Sequence, residues 1–398
     1  MTRRTKFNLS LIVFGLITLL GVVTFIFQVS SGLGVTGMNN VFSWALYITM
    51  FVFFVGLSAG GLIVSSSATV FNIPSFKKVA KPATILSTVC IILAVLFIFV
   101  DLGRPFRILN LIIHPQFKSP LIWDVIVIPL YLVINIIYLY LMTRKKTNEK
   151  MLKITSFFAL PIAILVHSVT AWIFGLQIAR EGWFSELMAP LFVASALDSG
   201  LALLLIVLVL LKQFKAFSVD KDLITKLAGL LVIFVIVDAY LVLAEVLTMI
   251  YPQKESTMQV LNHMFTGTMA PFFWGEVILG FIIPIGILLF KKNREKISLV
   301  VTSSILVILG VFGKRVWLVL TSFKFPNFMG SPGVTTGHYA EGQAQTIHDS
   351  TWTFVGQYMP TLPELTIVVG LLALGVVMFM ILSRFILRSP RKDAAIQK

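Results

Sequence analysis

Again and again the chain runs apolar for about 20 residues, the length of helix needed to cross a hydrocarbon core. The runs fall at about 9–29, 42–71, 84–100, 120–142, 153–176, 187–211, 225–250, 266–290, 297–320 and 362–387. Within lipid every backbone polar group must be satisfied inside its own segment, so runs of this length have to be helices. Charged residues make up 12% of the 398, against roughly 25% in soluble domains, and the mean hydropathy is +0.96. The expected fold is therefore an all-α integral membrane protein with ten transmembrane helices. "MTRRTKFNLS" gives the first run a basic start, but the run is long and lacks a small-residue cleavage site, so we read it as a retained anchor helix. The single cysteine, Cys90, lies inside an apolar run and can supply neither a disulfide framework nor the ligands of an iron–sulfur cluster.

The formal net charge of +15 would point to nucleic acid in a soluble chain. Here the basic residues fall in alternate connections: "RRTK", "KKVAK", "RKKTNEKMLK", "KQFKAFSVDKDLITK", "KKNREK" and "RFILRSPRK". Positive residues collect on the cytoplasmic side of a membrane, so topology explains the charge and no nucleic-acid partner is required. Both termini are expected in the cytoplasm, in a multi-pass protein of the cytoplasmic membrane. Arg104, Arg107 and Lys118 then stand on the outer side, against the bias, in "FVDLGRPFRILNLIIHPQFKSPLIWD".

An internal repeat organises the middle of the chain. "FVGLSAGGLIV" at 54–64 matches "FVASALDSGLAL" at 192–203, and "PLIWDVIVIP" at 120–129 matches "PFFWGEVILGFIIP" at 271–284, in the same order and at similar spacing. Helices two to five and six to nine read as two copies of a four-helix unit. An even number of spans per copy makes them parallel repeats. The expected divisions are an anchor helix and outer loop at 1–41, a first four-helix bundle at 42–176, a second at 177–320, an outer loop at 321–361, and a final helix with a basic tail at 362–398. Gly56, Ser58, Ala59, Gly60, Gly61, Ser195, Ser199 and Gly200 are read as small residues that let helices approach closely.

Ionisable residues inside spans are costly and mark functional sites. In the first repeat Asp101, Asp124 and His167 share the outer half with Arg104, Arg107, His114, Trp123, Gln177 and Arg180. In the second, Asp198, Asp238, Glu245, Glu276, Lys314 and Arg315 run from mid-membrane outward. An acid, an imidazole, guanidinium donors and aromatic rings can bind a ring with two carbonyl oxygens and exchange its protons, which describes a quinone. The plainer alternatives are that Asp101 pairs with Arg104 or Arg107 and that His167 is a core histidine bonded to a neighbouring helix. Only His167 among the histidines lies well inside a span, which argues against a two-haem cytochrome. No phosphate loop, nucleophile elbow or zinc spacing is present.

"GLSAGG", "DLGRPFR", "SPLIWD", "HSVTAWIFG", "APLFVASALDSG", "FFWGEVILGFIIP" and "YMPTLPE" together resemble the polysulfide reductase membrane-subunit family, the NrfD-like family, from about residue 40 to 365. The resemblance implies a quinone-reactive oxidoreductase subunit that acts only within a complex. It binds menaquinone or a similar quinone, carries no haem or cluster itself, and exchanges electrons with an iron–sulfur subunit and a further catalytic or cytochrome subunit. Carried over by motif, Asp101, Asp124 and His167 would be catalytic, with Tyr47, Arg104, Trp123 and Trp172 completing the quinone site. Asp198, Asp238, Glu245, Glu276 and Arg315 would form a proton path. Apart from the resemblance, the connection 321–361 is long for a bundle loop, and its Gly, aromatic and polar content suits a docking surface, the alternative being a disordered loop. The rival class is a secondary transporter or ion channel built on the same acids, for which no paired helix break is recognisable around Pro129, Pro161 or Pro284. A structural anchor is the third possibility.

Overall fold

The computed structural model describes residues 3–39, 41–144, 148–324 and 358–387. Ten helices among them are long and apolar enough to cross a membrane. They are α1 (Arg3–Ser31), α2 (Leu46–Val70), α3 (Ala80–Asp101), α4 (Pro120–Thr143) and α5 (Glu149–Gly175). There follow α6 (Met188–Gln213), α7 (Lys221–Ile250), α8 (Ala270–Leu288), α9 (Ile297–Lys324) and α10 (Leu362–Leu387). Local chemistry sets several starts. Pro120 opens α4 at a position where its missing N–H costs nothing, and the Asn148 side chain caps α5 by accepting the Met151 N–H at 3.1 Å.

α2 is buried along nearly its whole length, whereas α1 is exposed along nearly all of its own. Contacts run α2–α3, α3–α4, α4–α5 and α5–α2, closing a first ring of four helices. They run α6–α7, α7–α8, α8–α9 and α9–α6 to close a second. The rings meet where α2 packs on α6 and α9 and where α5 packs on α6, while α1 pairs with α10, α10 lies against α3, and α1 reaches α3 only near its end at Phe99 and Val100.

Three crossings are made by facing glycines. A Cβ on Gly200 would stand 2.5 Å from Gly60 Cα, one on Gly21 2.7 Å from Gly370 Cα, and one on Gly280 3.0 Å from Gly310 Cα. In lipid, packing at this range replaces the hydrophobic driving force, and a side chain on either helix would forbid it. Gly60 and Gly200 thus have the packing role expected of them.

Alternate connections are cross-linked at opposite ends. At one end, Glu181 is bound by Lys254, Ser256 and Thr257, Arg180 Nη1 donates to the Ser322 carbonyl at 3.4 Å, and Gly37 N–H donates to Glu364 at 2.8 Å. At the other, Lys78 pairs with Asp220 at 3.0 Å and Thr225 donates to the Arg294 carbonyl at 3.4 Å. Arg104, Arg107, His114 and Lys118 are exposed at the first end, on a connection whose Phe106, Ile112, Ile113 and Phe117 are exposed as well.

Two features depart from the sequence expectation. The connection after α7 holds a further helix, Glu255–Phe265, whose polar face hides it from an apolar-run criterion. α8 is not continuous α-helix: Glu276–Ile282 is a π-helical stretch, ending just before Pro284, which cannot donate a backbone hydrogen bond. Its repeat counterpart α4 stays α-helical through Pro129, so the break is unpaired among the described residues. Of the expected docking loop, 325–357 lies outside the described residues.

Candidate functional site: two clusters of ionisable residues within the helices

The first-repeat residues fall into three groups. At the α3 terminus, Asp101 Oδ1 is buried without a hydrogen-bond partner, and Arg104 and Arg107 form no ion pair with it. Its electrostatic neighbours are Tyr47 on α2 and Glu364 on α10. Tyr47 Oη donates to Gln28 Oε1 at 2.6 Å, and Gln28 Nε2 donates to the Val100 carbonyl at 2.8 Å, so a buried amide on the otherwise exposed α1 secures this corner. Glu364 accepts from Gly37 N–H, Thr361 N–H and Tyr358 Oη, each at 2.8 Å, and from Thr361 Oγ1 at 3.1 Å. Burial, reinforced by the Glu364 carboxylate, pushes the Tyr358 hydroxyl well above its usual range, so it remains a donor.

The second group is Asp124, buried on α4, whose Oδ1 accepts from Thr170 Oγ1 of α5 at 2.8 Å. Beside it Trp123 donates to the Phe117 carbonyl at 2.7 Å and meets Trp172 edge-on at 6.5 Å. The third is His167, one turn before Thr170. Its Nδ1 lies 2.8 Å from the Ala163 carbonyl and its Nε2 2.9 Å from the Val55 carbonyl of α2. Two acceptors face a ring that has one N–H when neutral and two when charged. His167 therefore has the character of a core histidine bound to a neighbouring helix, with neither nitrogen free.

The second-repeat residues form one cluster. Lys314 Nζ lies 3.1 Å from Asp238 Oδ1 and 3.5 Å from Glu276 Oε1, and Trp317 Nε1 donates to Glu276 Oε2 at 2.7 Å. Arg315 Nη2 donates to Ser195 Oγ at 2.5 Å, and its guanidinium stands 4.1 Å from the Phe192 ring centroid. All five charged side chains, Asp198 included, are buried. Many of their polar atoms lack a hydrogen-bond partner: both oxygens of Asp198, Asp238 Oδ2, Glu276 Oε1 apart from its ion pair with Lys314, and Arg315 Nε and Nη1. Glu245 sits nearer the end, accepting from Ser185 Oγ at 2.7 Å. Among the described residues no group of three or more His, Cys, Asp and Glu side chains is placed to hold a metal ion.

The two clusters correspond part for part. Trp123 and Trp274 each donate to a carbonyl of the preceding connection, at 2.7 and 2.9 Å. Asp124 on α4 is held by α5 through Thr170, as Glu276 on α8 is held by α9 through Trp317. His167 on α5 reaches Val55 on α2, and Arg315 on α9 reaches Ser195 on α6. Val55 and Ser195 each precede their crossing glycine, Gly60 or Gly200, by five residues. Sequence reasoning missed Gln28, Thr170, Ser195, Trp317, Tyr358 and Glu364. The last two lie in "YMPTLPE", where the motif offered a signal, whereas Gln28 is a single polar residue in an anchor run.

Buried acids and bases on several of the central helices, linked from helix to helix, define the class: a multi-pass integral membrane protein with ionisable side chains inside its bundle. The chain belongs to the family described as polysulphide reductase, NrfD, whose model matches residues 34–327. It is 36% identical to a Halobacterium salinarum protein provisionally named as a membrane subunit of dimethyl sulfoxide reductase, across 96% of this chain and 92% of that one. It is 30% identical to the Hdr-like menaquinol oxidoreductase integral membrane subunit of Archaeoglobus fulgidus, across 92% and 91%. A selenate reductase subunit of Mesobacillus selenatarsenatis is 26% identical, across 93% and 91%.

Proposed function

We propose that this chain is the quinone-reactive membrane subunit of a respiratory complex in the cytoplasmic membrane, with both termini inside. It would exchange electrons with a partner iron–sulfur subunit on the outer face, and through it with a catalytic or cytochrome subunit. The relatives' names support this, since one is a menaquinol oxidoreductase subunit and two are subunits of oxyanion or sulfoxide reductases. The observation that carries it is the corner at Asp101. A buried Asp101 oxygen with no partner and the Tyr47 oxygen, whose own proton goes to Gln28, can each accept from a quinol hydroxyl, while exposed Arg104 or a protonated Asp101 can donate to a quinone carbonyl. A bound quinone supplies a two-electron, two-proton couple. Asp101 then holds or releases a proton at its Oδ1, Tyr47 orients the head group, and Trp123 and Trp172 supply an aromatic wall. Asp124, with one oxygen on Thr170, is the second acid. His167 acts less directly, through the hydrogen bonds it makes to α2.

The second four-helix unit serves as the proton path. Glu245 and Ser185 stand toward the outer end, with Lys314, Asp238, Glu276, Asp198 and Arg315 at the centre. The unpartnered hydroxyls of Ser303 and Ser304 on α9 extend it toward the inner end. Buried polar atoms without partners are the places where ordered water sits. Ion transport by the chain alone has one observation on its side, the π-helical break that begins at Glu276. The test is direct. In the purified complex, Asp101→Asn and Tyr47→Phe should weaken quenching of a fluorescent hydroxyquinoline N-oxide quinol analogue by about tenfold, the loss of one good hydrogen bond. Unchanged binding and turnover in both variants refutes the site, and ion flux by the lone chain in liposomes would favour transport.

A further inference from the structure

The Val55–Gly56 peptide of α2 is approached from both rings. From the first, His167 Nε2 lies 2.9 Å from the Val55 carbonyl. From the second, Arg315 faces Gly56, where a Cβ would stand 3.8 Å from Nη2 and 3.9 Å from Ser199 Oγ, in ordinary contact with both. The guanidinium of α9 thus faces a helix of the other ring across a gap that a single methyl group would fill. Arg315 is completely buried, holds Ser195 through Nη2, stacks on Phe192, and leaves Nε and Nη1 idle.

Three residues beyond Ser195, on the same face of α6, Asp198 is equally buried with both oxygens idle. A buried cation with unused donors and a buried acid with unused acceptors define a second resting position for the guanidinium. The charged groups in reach of Arg315 come from every neighbouring helix: His167 on α5, Asp198 on α6, Asp238 on α7 and Glu276 on α8. Lys314 beside it also acts on Asp198 but is held in ion pairs by Asp238 and Glu276, whereas Arg315 has unused donors to turn toward it.

We propose that Arg315 is a positioning residue that couples the two rings, moving between the Ser195–Gly56 position and Asp198 according to the charge on the second-ring acids. The inference rests on the reading that the first ring binds a quinone head group. When Asp198 is ionised, the guanidinium leaves α2, and His167 and the Val55 carbonyl are freed of a neighbouring positive charge. When Asp198 is neutral, Arg315 returns to Ser195 and Gly56. Linkage makes the effect reciprocal: whatever the proton path does to the quinone site, quinone binding does to the proton path.

The experiment is a coupling cycle in the intact purified complex, reading the Kd of the hydroxyquinoline N-oxide analogue by fluorescence quenching. Asp198→Asn should change Kd about fivefold or more in the native background. It should change Kd less than about twofold when Arg315 is replaced by Gln, or when Gly56→Val fills the α2 resting place. Arg315→Lys, which keeps the charge and favours assembly, should give an intermediate response. An Asp198→Asn effect that is the same in every background, or absent in the native one, overturns the coupling. If the native complex does not bind the analogue at all, the quinone reading falls. The coupling is then decided by unfolding midpoints of His167→Gln and Arg315→Lys, singly and together, where additive shifts overturn it and non-additive shifts uphold it.

Discussion

Lys314 is the residue whose loss should be felt most. Its ammonium stands 3.1 Å from Asp238 and 3.5 Å from Glu276, all three buried. Asp238 Oδ2 already lacks a partner, so Lys314→Met would leave that carboxylate with no hydrogen bond at all, whereas Glu276 would keep Trp317 at 2.7 Å. Removing one member of a buried ion pair costs about 3–5 kcal/mol, because the other charge is left behind. A neutral amide in the same place, unpaired, costs about 1–3 kcal/mol. Lys314→Met should therefore lower the unfolding free energy by about 3–5 kcal/mol, and adding Asp238→Asn should restore about 2 kcal/mol of it. Glu276→Gln alone should cost about 1 kcal/mol or less, since a Gln oxygen still accepts from Trp317 and Lys314 keeps Asp238. Reversible unfolding in mixed micelles, followed by tryptophan fluorescence, measures all three variants against the native chain. A Lys314→Met protein within about 1 kcal/mol of the native chain, or a double variant no more stable than the single, would refute the reasoning.

Gly60→Ala should cost about 1–3 kcal/mol in the same assay, because its Cβ would lie 2.6 Å from Gly200 C and 2.8 Å from Leu201 N, backbone atoms that cannot yield. Gly56→Ala, whose Cβ meets ordinary contacts at 3.8 and 3.9 Å, should be neutral or stabilising. Glu364→Ala strips acceptors from Gly37 and Thr361, and hydrogen exchange at those amides should accelerate at least tenfold, the cost of one charged hydrogen bond. Burial alone would raise Glu181, but Lys254, Thr257 and Ser256 outweigh it and hold the carboxyl below the usual range. Its contribution is thus complete above the unfolded carboxylate value near 4 and fades as pH falls through the lower folded value. Proteolysis of the 176–187 connection should accelerate only in that acid window, and Lys254→Met should widen the window upward.

The helices were legible in the sequence because a bilayer leaves a chain so few choices. Length and hydropathy were enough to find all ten, and the repeat pattern set the segments of Trp123 and Trp274 side by side, whereas the pairing of Gly60 with Gly200 appears only in the packing. Most of the buried acids were also readable, since a charge inside an apolar run has nowhere else to go, with Glu364 at the mouth of the last run the exception. What the sequence did not carry is what lies across each gap. His167 looks the same in sequence whether it faces a ligand or two backbone carbonyls, and only the approach of α2 decides it. Gln28 gains its role from Tyr47 and Val100, brought together where α1 reaches the end of α3. The π-helical turn at Glu276 depends on how α8 meets α9 at Gly280 and Gly310, ahead of Pro284, and no periodicity within α8 announces it.

The contact between Gly60 and Gly200 joins the same position of two copies, each glycine seated on the other's backbone. That is the contact a two-fold homodimer makes with itself, the isologous kind, in which one surface is its own complement. Because each glycine is the seat of the other, a side chain added to either helix closes the same gap, and the two substitutions together should cost less than the sum of the two apart.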